Sequence, residues 1–120
     1  MTANDFRRIA LGMQGAIESS HMNHPDFRAN GKIFATIHHD RESGMVKLTP
    51  EQQQGFVGEY PMSFTPESGA WGRAGCTKVL FRTVGEEMLG KAMTLAWQNA
   101  TKAKPAKRPG AKGKKTGRPG

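Results

Sequence analysis

The sequence predicts an α+β domain of two layers, in which helices pack on one face of an antiparallel sheet. Segments with helical periodicity lie near both ends of residues 1–101 and in the middle. Segments rich in β-branched and aromatic residues lie between them, and the pair Asn30-Gly31 connects two of these segments by a tight turn. Strands joined by tight turns pair antiparallel, which argues against the parallel sheet of a nucleotide-binding fold.

The first element is a predicted helix. Thr2 and Asp5 have the spacing of an N-cap residue and an acid in the first helical turn. An apolar stripe then recurs at helical spacing, which predicts a helix that packs on a core. The stripe consists of Phe6, Ile9, Ala10 and Met13.

A hairpin is predicted next, because Asn30-Gly31 is the preferred pair for a type I′ turn, where both central residues need a positive φ. Its strands are expected over residues 18–29 and 32–39. A two-residue turn places Phe27 opposite Phe34 and Arg28 opposite Ile33. A third strand is expected over residues 45–48, after a turn around residues 43–44.

The second half of the domain repeats the alternation of helix and strand. Thr49-Pro50-Glu51-Gln52 predicts a helix start, with Thr as the cap, Pro in the first turn and Gln completing a capping box. That helix must end before Pro61. Strands are expected over residues 62–64 and 77–83, and the final helix is expected to begin near Gly85, where two glutamates complement the helix dipole.

Charge divides the chain into a body, residues 1–101, and a tail, residues 102–120. Ten basic and ten acidic side chains balance in the body, so the net charge of +8 lies wholly in the tail. The tail has too little apolar surface to fold alone, which predicts a disordered basic segment. We expect it to contact the phosphates of duplex DNA with low sequence specificity; the alternative is a solvated tail with no nucleic-acid role. Its cations are Lys102, Lys104, Lys107, Arg108, Lys112, Lys114, Lys115 and Arg118.

The remaining composition indicates a soluble protein of the cytoplasm. No apolar run approaches the length of a membrane span, and the N-terminal segment lacks the apolar stretch of a secretion signal. The single cysteine, Cys76, excludes an internal disulfide. We expect a monomer.

No enzyme-like constellation is found, so we expect no catalytic residue, metal or cofactor. His24 and His39 are expected on one face of the hairpin, with His21 and His38 on the other and Asp40 opposite His21. Two nitrogens on a face do not complete a zinc site. Cys76 is expected to be a small buried strand residue, although Lys78 on the same face could lower the pKa of its thiol.

Two features of the body are candidates for contact with nucleic acid. Strand alternation places the cations Lys32, Lys47, Lys78 and Arg82 on a possible basic side of the sheet. The glycine-rich segment 69–75 carries Trp71 and Arg73, a pairing that can stack on a base and grip a phosphate. The alternatives are ordinary solvated lysines and a bulged loop whose glycines serve packing. A phosphate cradle is disfavoured because a strand, not a helix, follows this segment.

Four spaced blocks of the sequence carry a resemblance to a known family. They are HPDFRANGKIFAT at residues 24–36, VKLTPEQ at 46–52, GAWGRAG at 69–75 followed by Thr77, and Ala96-Trp97. In this order they resemble the MmcQ/YjbR family over residues 5–101, while Cys76 stands where the family has a bulky residue, often Trp. The resemblance implies a CyaY-like two-layer fold, likened to a double-wing DNA-binding domain, and a DNA-binding role without catalytic residues.

The sequence therefore predicts a non-enzymatic DNA-binding protein, nucleoid-associated or regulatory. In this interpretation the tail supplies phosphate affinity, while the sheet face and the Gly-Trp segment orient the body. The alternative function is a protein- or small-ligand-binding module whose tail only localises it to nucleic acid.

Overall fold

The computed structural model describes residues 1–102, which form an α+β domain with one open antiparallel sheet. Its helices are α1 (Ala3–Leu11), α2 (Pro50–Glu59), α3 (Gly69–Arg73) and α4 (Glu86–Thr101). Its strands are β1 (Ile17–His21), β2 (His24–Ala29), β3 (Lys32–Ile37), β4 (Ser43–Lys47), β5 (Phe64–Pro66) and β6 (Cys76–Leu80). The strand order is β1-β2-β3-β4-β6-β5, and every neighbouring pair is antiparallel, which confirms the predicted fold class.

The predicted helix starts are confirmed. The Thr2 hydroxyl accepts a hydrogen bond from the Asp5 N–H at 3.2 Å, and the Asp5 carboxylate accepts one from the Thr2 N–H at 2.9 Å. These bonds to Thr2, the backbone one first, lower the pKa of the Asp5 carboxyl. Thr49 and Gln52 form the same reciprocal box at the start of α2, and Gly85 caps α4. Helices α1, α2 and α4 therefore begin where the sequence predicts.

The three longer helices cover one face of the sheet. The ring of Phe6 in α1 lies 6.2 Å from that of Phe27 in β2 and 5.1 Å from that of Phe81, between ring centroids. Phe56 of α2 packs on Phe64 of β5 at 5.0 Å. Helix α4 buries one continuous apolar face against the same side. That face consists of Leu89, Ala92, Met93, Ala96 and Ala100.

The Asn30-Gly31 turn is confirmed, with φ of 56° and 75° at its central residues. Arg28 pairs with Ile33 as predicted, but Phe27 pairs with Ala35 rather than Phe34. A shift of register between these two pairs leaves Phe34 as an extra residue in β3. The bulge lets both Phe34 and Ala35 enter the core, where neither is exposed.

The predicted strand over residues 18–29 is wrong, because a second tight turn divides it. Met22 and Asn23 both have positive φ, 53° and 68°, and they connect β1 to β2. Asparagine tolerates this conformation without glycine, so the turn lacks the Asn-Gly signature. As a result His21 faces His24 instead of Asp40.

Three other boundaries also differ from prediction. Strand β4 begins at Ser43, because the preceding turn lies earlier and has Arg41 at a φ of 60°. Strand β5 lies two residues later than expected, and β6 ends at Leu80. Among residues 1–102, no helix is long and apolar enough to cross a membrane.

A buried charge is held in strand β2. The Asp26 side chain is fully buried, and its two carboxylate oxygens accept hydrogen bonds from Arg28 Nε at 2.8 Å and Nη2 at 3.1 Å. The Arg28 side chain is 34% exposed, so the guanidinium stays partly hydrated while it neutralises the buried carboxylate. A bidentate guanidinium matches a carboxylate in geometry and charge.

Removal of this guanidinium is expected to destabilise the fold. Arg28→Ala leaves the Asp26 carboxylate buried without its partner, which should lower the free energy of unfolding by about 3 kcal/mol in urea titrations. Arg7→Ala is the control, because its ion pair with Glu18 is partly exposed on both sides and should cost less than about 1 kcal/mol. Equal losses for the two variants would contradict this account. Replacing both partners, Asp26→Leu with Arg28→Met, should recover most of the stability.

Candidate nucleic-acid interface

A cationic groove lies where the start of β3 and the ends of β4 and α4 meet the start of α2. Its volume is about 490 Å³, and it is lined by Lys32 of β3, Lys47 of β4 and Lys102, which directly follows α4. Leu48, Ala96 and Ala100 supply apolar surface between them. No aspartate or glutamate of the described residues lines the groove. The groove therefore concentrates positive charge on a body whose total charge is balanced.

Hydrogen bonds of Asn99 fix the shape of the cationic groove. The Asn99 side-chain amide donates to the Lys47 carbonyl at 3.1 Å and to Gln52 Oε1 at 2.9 Å. The same Gln52 oxygen accepts from the Thr49 N–H at 3.0 Å in the capping box. One amide thus ties the ends of β4 and α4 to the first turn of α2. That turn also directs the positive end of the α2 dipole to the groove, which Thr49 and Pro50 line.

The open face is the side of the sheet opposite α1, α2 and α4, where Thr36, Met45, Lys78 and Thr65 form one row across four strands. Lys47 shares this face with Lys78, because Met45 pairs with Lys78 and lies two residues from Lys47. Such diagonal neighbours are about 7–8 Å apart. Lys47 therefore links the open face to the cationic groove.

The structure does not bring all four predicted sheet cations onto one strip. Lys32 lies beyond the bulge of β3, paired with Ala29, and lines the cationic groove. Arg82 follows the end of β6 in an exposed turn, at the opposite end of that strand from Lys47. The residue that joins Lys32 and Lys47 instead is Lys102, which comes from a distant part of the chain.

Residues 69–73 of the glycine-rich segment form the short helix α3, and residues 74–75 form a turn after it, instead of the bulged loop considered as an alternative. Trp71 in this helix is 70% exposed, whereas every phenylalanine, the one tyrosine and Trp97 are buried or half-buried. Arg73 lies in the last turn of α3 and is exposed. Trp71 borders a cleft of about 210 Å³ on the open face, and this Trp71 cleft is also lined by Thr36, His38, Met45, Glu67, Ser68 and Cys76.

Two glycines and one glutamine hold α3 in place. A Cβ atom on Gly72 would overlap the Glu67 carbonyl, and one on Gly75 would overlap the Leu48 carbonyl. Gly75 also has a φ of 113°, which side chains rarely adopt. The buried Gln53 amide of α2 donates to the Gly72 carbonyl at 2.9 Å and to the Cys76 carbonyl at 3.0 Å. The glycine spacing therefore serves a close approach of backbones beneath Trp71.

Three of the four histidines make side-chain contacts: His24 with His39, and His38 with Glu67. The rings of His24 and His39 lie 3.9 Å apart between centroids, which agrees with the predicted shared face. His38 Nε2 lies 2.7 Å from Glu67 Oε2 at the Trp71 cleft. Within residues 1–102, no group of three or more histidine, cysteine, aspartate or glutamate side chains could hold a metal ion.

Cys76 is 4% exposed, which confirms the expected burial, although it lies on the open face at the Trp71 cleft rather than in the core beneath the longer helices. Burial raises the pKa of its thiol above the usual value. The positive charge of Lys47, rather than that of the predicted Lys78, lowers the pKa of the thiol but does not outweigh burial.

The remaining predicted tail cations, from Lys104 to Arg118, lie outside the described residues.

Comparison with known proteins gives the relatives of this fold. The model of the YjbR family matches residues 11–99. A crystal structure of a Deinococcus radiodurans protein with a DUF419 domain is similar, with a TM-score of 0.71 and 20% identity over 84% of this chain and 79% of that chain. A Pseudomonas syringae protein has a TM-score of 0.62 and 15% identity over 83% of this chain and 99% of that one. None of the curated proteins matches the chain.

The support of α3 can be tested by adding single methyl groups. Gly75→Ala combines an unfavourable φ with an overlap on the Leu48 carbonyl, so the free energy of unfolding should fall by about 2 kcal/mol or more. Gly55→Ala is the control, because its Cβ meets no atom in the exposed middle of α2 and should stabilise the helix by about 0.5–1 kcal/mol. Urea titration of both variants measures the difference. A neutral Gly75→Ala would contradict the role given to this glycine.

Proposed function

This chain belongs to the YjbR family, and we propose that it is a DNA-binding protein that grips duplex phosphates with its cationic groove and its basic tail. The observation that supports the proposal is the meeting of Lys32, Lys47 and Lys102 around one groove that no carboxylate of residues 1–102 lines. Lys102 is also the first residue of the tail, so the tail leaves the body at this groove. A bound phosphate backbone would meet cations from both parts of the chain.

The distribution of charge favours binding to the phosphates rather than to the bases. Lysine is a flexible point charge, and neutralisation of phosphates by lysine releases counterions regardless of sequence. Phosphate contacts fix the position of a protein on the duplex but carry no sequence information. The expected behaviour is therefore low sequence specificity with a steep dependence on salt, as in a nucleoid-associated or regulatory protein.

On this proposal the protein acts in the cytoplasm, as a monomer, without a cofactor and without enzymatic chemistry.

The apolar surface within the groove helps the lysines at its rim to reach a phosphate. Lysine stems can lie on apolar surface while their ammonium groups stay in solvent, within reach of phosphate oxygens. The positive end of the α2 dipole adds to the attraction for an anion.

A second candidate function is supported by the Trp71 cleft. An exposed aromatic over a cleft with polar and apolar walls also suits a small ligand or a protein side chain. In that case the tail would only localise the body to nucleic acid. A ligand that copurifies with the full chain after nuclease treatment, and that is lost in Trp71→Ala, would favour this alternative.

The role of the groove can be tested with neutral substitutions. Lys32→Gln with Lys47→Gln should weaken duplex binding to a similar degree for all sequences, and should make the slope of log K against log salt less steep by about 2. Lys91→Gln removes one exposed charge from α4 at a different surface and is the matched control, expected to leave the slope unchanged. Fluorescence anisotropy across a salt series measures all three proteins. An unchanged slope in the groove variant would contradict the proposal.

A further inference from the structure

The Trp71 cleft combines an exposed indole with a carboxylate, and the proposed binding of duplex phosphates uses neither. Resting on the proposed function, we infer that this cleft holds an unpaired nucleobase that carries an exocyclic amino group. The protein would then bind single-stranded or opened nucleic acid more tightly than phosphate contacts alone allow. The cleft lies on the open face, separate from the groove, but Lys47 connects the two surfaces.

The first argument is the exposure of Trp71. All nine aromatic side chains of the sequence lie in the described residues, and the other eight are buried or half-buried. An indole that is 70% exposed is therefore the one free aromatic surface of the body. Bases of every sequence have a face that stacks on such a ring, which makes an exposed tryptophan a typical platform for single strands.

The second argument is that the platform is rigid before binding. The close packing of Gly72 on the Glu67 carbonyl fixes the backbone of α3 beside Trp71. The buried Gln53 amide donates hydrogen bonds to the Gly72 and Cys76 carbonyls, which holds the end of α3 against β6. A ring whose backbone is held in this way loses little further freedom when a base stacks on it, so more of the stacking energy contributes to affinity.

The third argument is the polar chemistry of the cleft wall. Glu67 Oε2 is paired with His38 Nε2 at 2.7 Å, while Glu67 Oε1 and the hydroxyls of Thr36 and Ser68 make no hydrogen bond within residues 1–102. The Glu67 side chain is only 19% exposed, which strengthens a hydrogen bond to it. A carboxylate accepts from the amino group of cytosine, as acidic side chains do in base readout.

This wall discriminates between bases. Thymine and uracil present a carbonyl where cytosine presents an amino group, so they would leave Glu67 Oε1 without a donor, while Oε2 keeps its bond to His38. A partly buried acceptor that a bound base desolvates without offering a donor costs more than a missing contact. In a duplex the same amino group is already paired, and the base must leave the stack before it can enter a protein cleft. The cleft therefore selects unpaired bases with an amino group.

A cation is available for the phosphate of the bound nucleotide. A second cavity, of about 400 Å³, shares His38 and Glu67 with the Trp71 cleft and is also lined by Lys78 and by Asp40. Lys78 in turn is the diagonal neighbour of Lys47 on the open face. A single strand whose base enters the cleft can thus continue past Lys78 and Lys47 to the cationic groove.

The test uses the full chain with Trp97→Phe, so that Trp71 is the single fluorescent indole. Trp97 is half-buried and donates to the Gln14 carbonyl, so its emission would obscure the signal. At neutral pH, single-stranded oligo(dC), oligo(dT) and oligo(rC) of equal length and one duplex are titrated. We expect oligo(dC) to quench Trp71 and to bind more tightly than oligo(dT). Comparison of the affinities for oligo(dC) and oligo(rC) shows whether the preferred strand is DNA or RNA.

Two variants complete the test in anisotropy titrations of the full chain. Trp71→Ala should weaken oligo(dC) binding by roughly 5- to 100-fold, while duplex affinity changes by less than about twofold. Glu67→Gln should remove the preference for oligo(dC) over oligo(dT). Trp71 is exposed, so an unchanged unfolding midpoint for Trp71→Ala would show that the variant is folded.

The outcomes separate this inference from the proposed function. Intact duplex binding, with no quenching by oligo(dC) and no effect of Trp71→Ala, would overturn the inference and leave the duplex proposal in place. Quenching by oligo(dC) without duplex binding would support the cleft and overturn the duplex proposal. Absence of binding to every oligonucleotide would overturn both.

Discussion

The first turn of α2 holds both candidate surfaces in position. Gln52 and Gln53 are adjacent in sequence, yet they act in two different places. The side chain of Gln52 accepts from Thr49 and from Asn99, which fixes the ends of β4 and α4 around the cationic groove. The amide of Gln53 donates to two carbonyls beneath α3, which fixes the helix that carries Trp71. The capping box and the residue that follows it therefore position both candidate surfaces.

On the proposed function, the separation of charge determines what each surface contributes. A body with balanced charge has no long-range preference for a polyanion, so a local concentration of lysines would decide where phosphates bind. The cationic groove is such a place, and it lies where the tail begins. The Trp71 cleft contributes a different chemistry, stacking and a carboxylate acceptor, on the open face nearby. Phosphate affinity and base discrimination would thus be divided between two sites joined by Lys47 and Lys78.

Sequence patterns predicted the features that depend on neighbouring residues. The helix caps and the Asn30-Gly31 turn follow from local hydrogen bonding and φ preference, and the structure confirms them. The Met22-Asn23 turn was missed because it lacks glycine, and the bulge at Phe34 was missed because it arises from burial of two adjacent residues. The family resemblance, carried by four spaced blocks, is confirmed by the match over residues 11–99.

The candidate site was harder to predict because it depends on long-range packing. Lys32, Lys47 and Lys102 were each recognised as candidate cations, but nothing in the sequence brings them to one groove. Gln53 has the spacing and polarity of an ordinary exposed helical residue, although it is buried and pins α3. Glu67 and His38 are 29 residues apart in sequence. They meet because the end of β3 and the segment before α3 both border the Trp71 cleft. Only Trp71 and the glycines beside it gave a local signal.

The central claim is that body and tail bind DNA together, and the salt dependence of duplex binding tests it most directly. The full chain is compared with residues 1–102, which retain every residue of the hydrophobic core. The account predicts that residues 1–102 still bind, with a slope of log K against log salt of roughly −3 for three lysines, while the full chain approaches a slope of roughly −9. Complete loss of binding by residues 1–102, with the full slope carried by the tail, would contradict it.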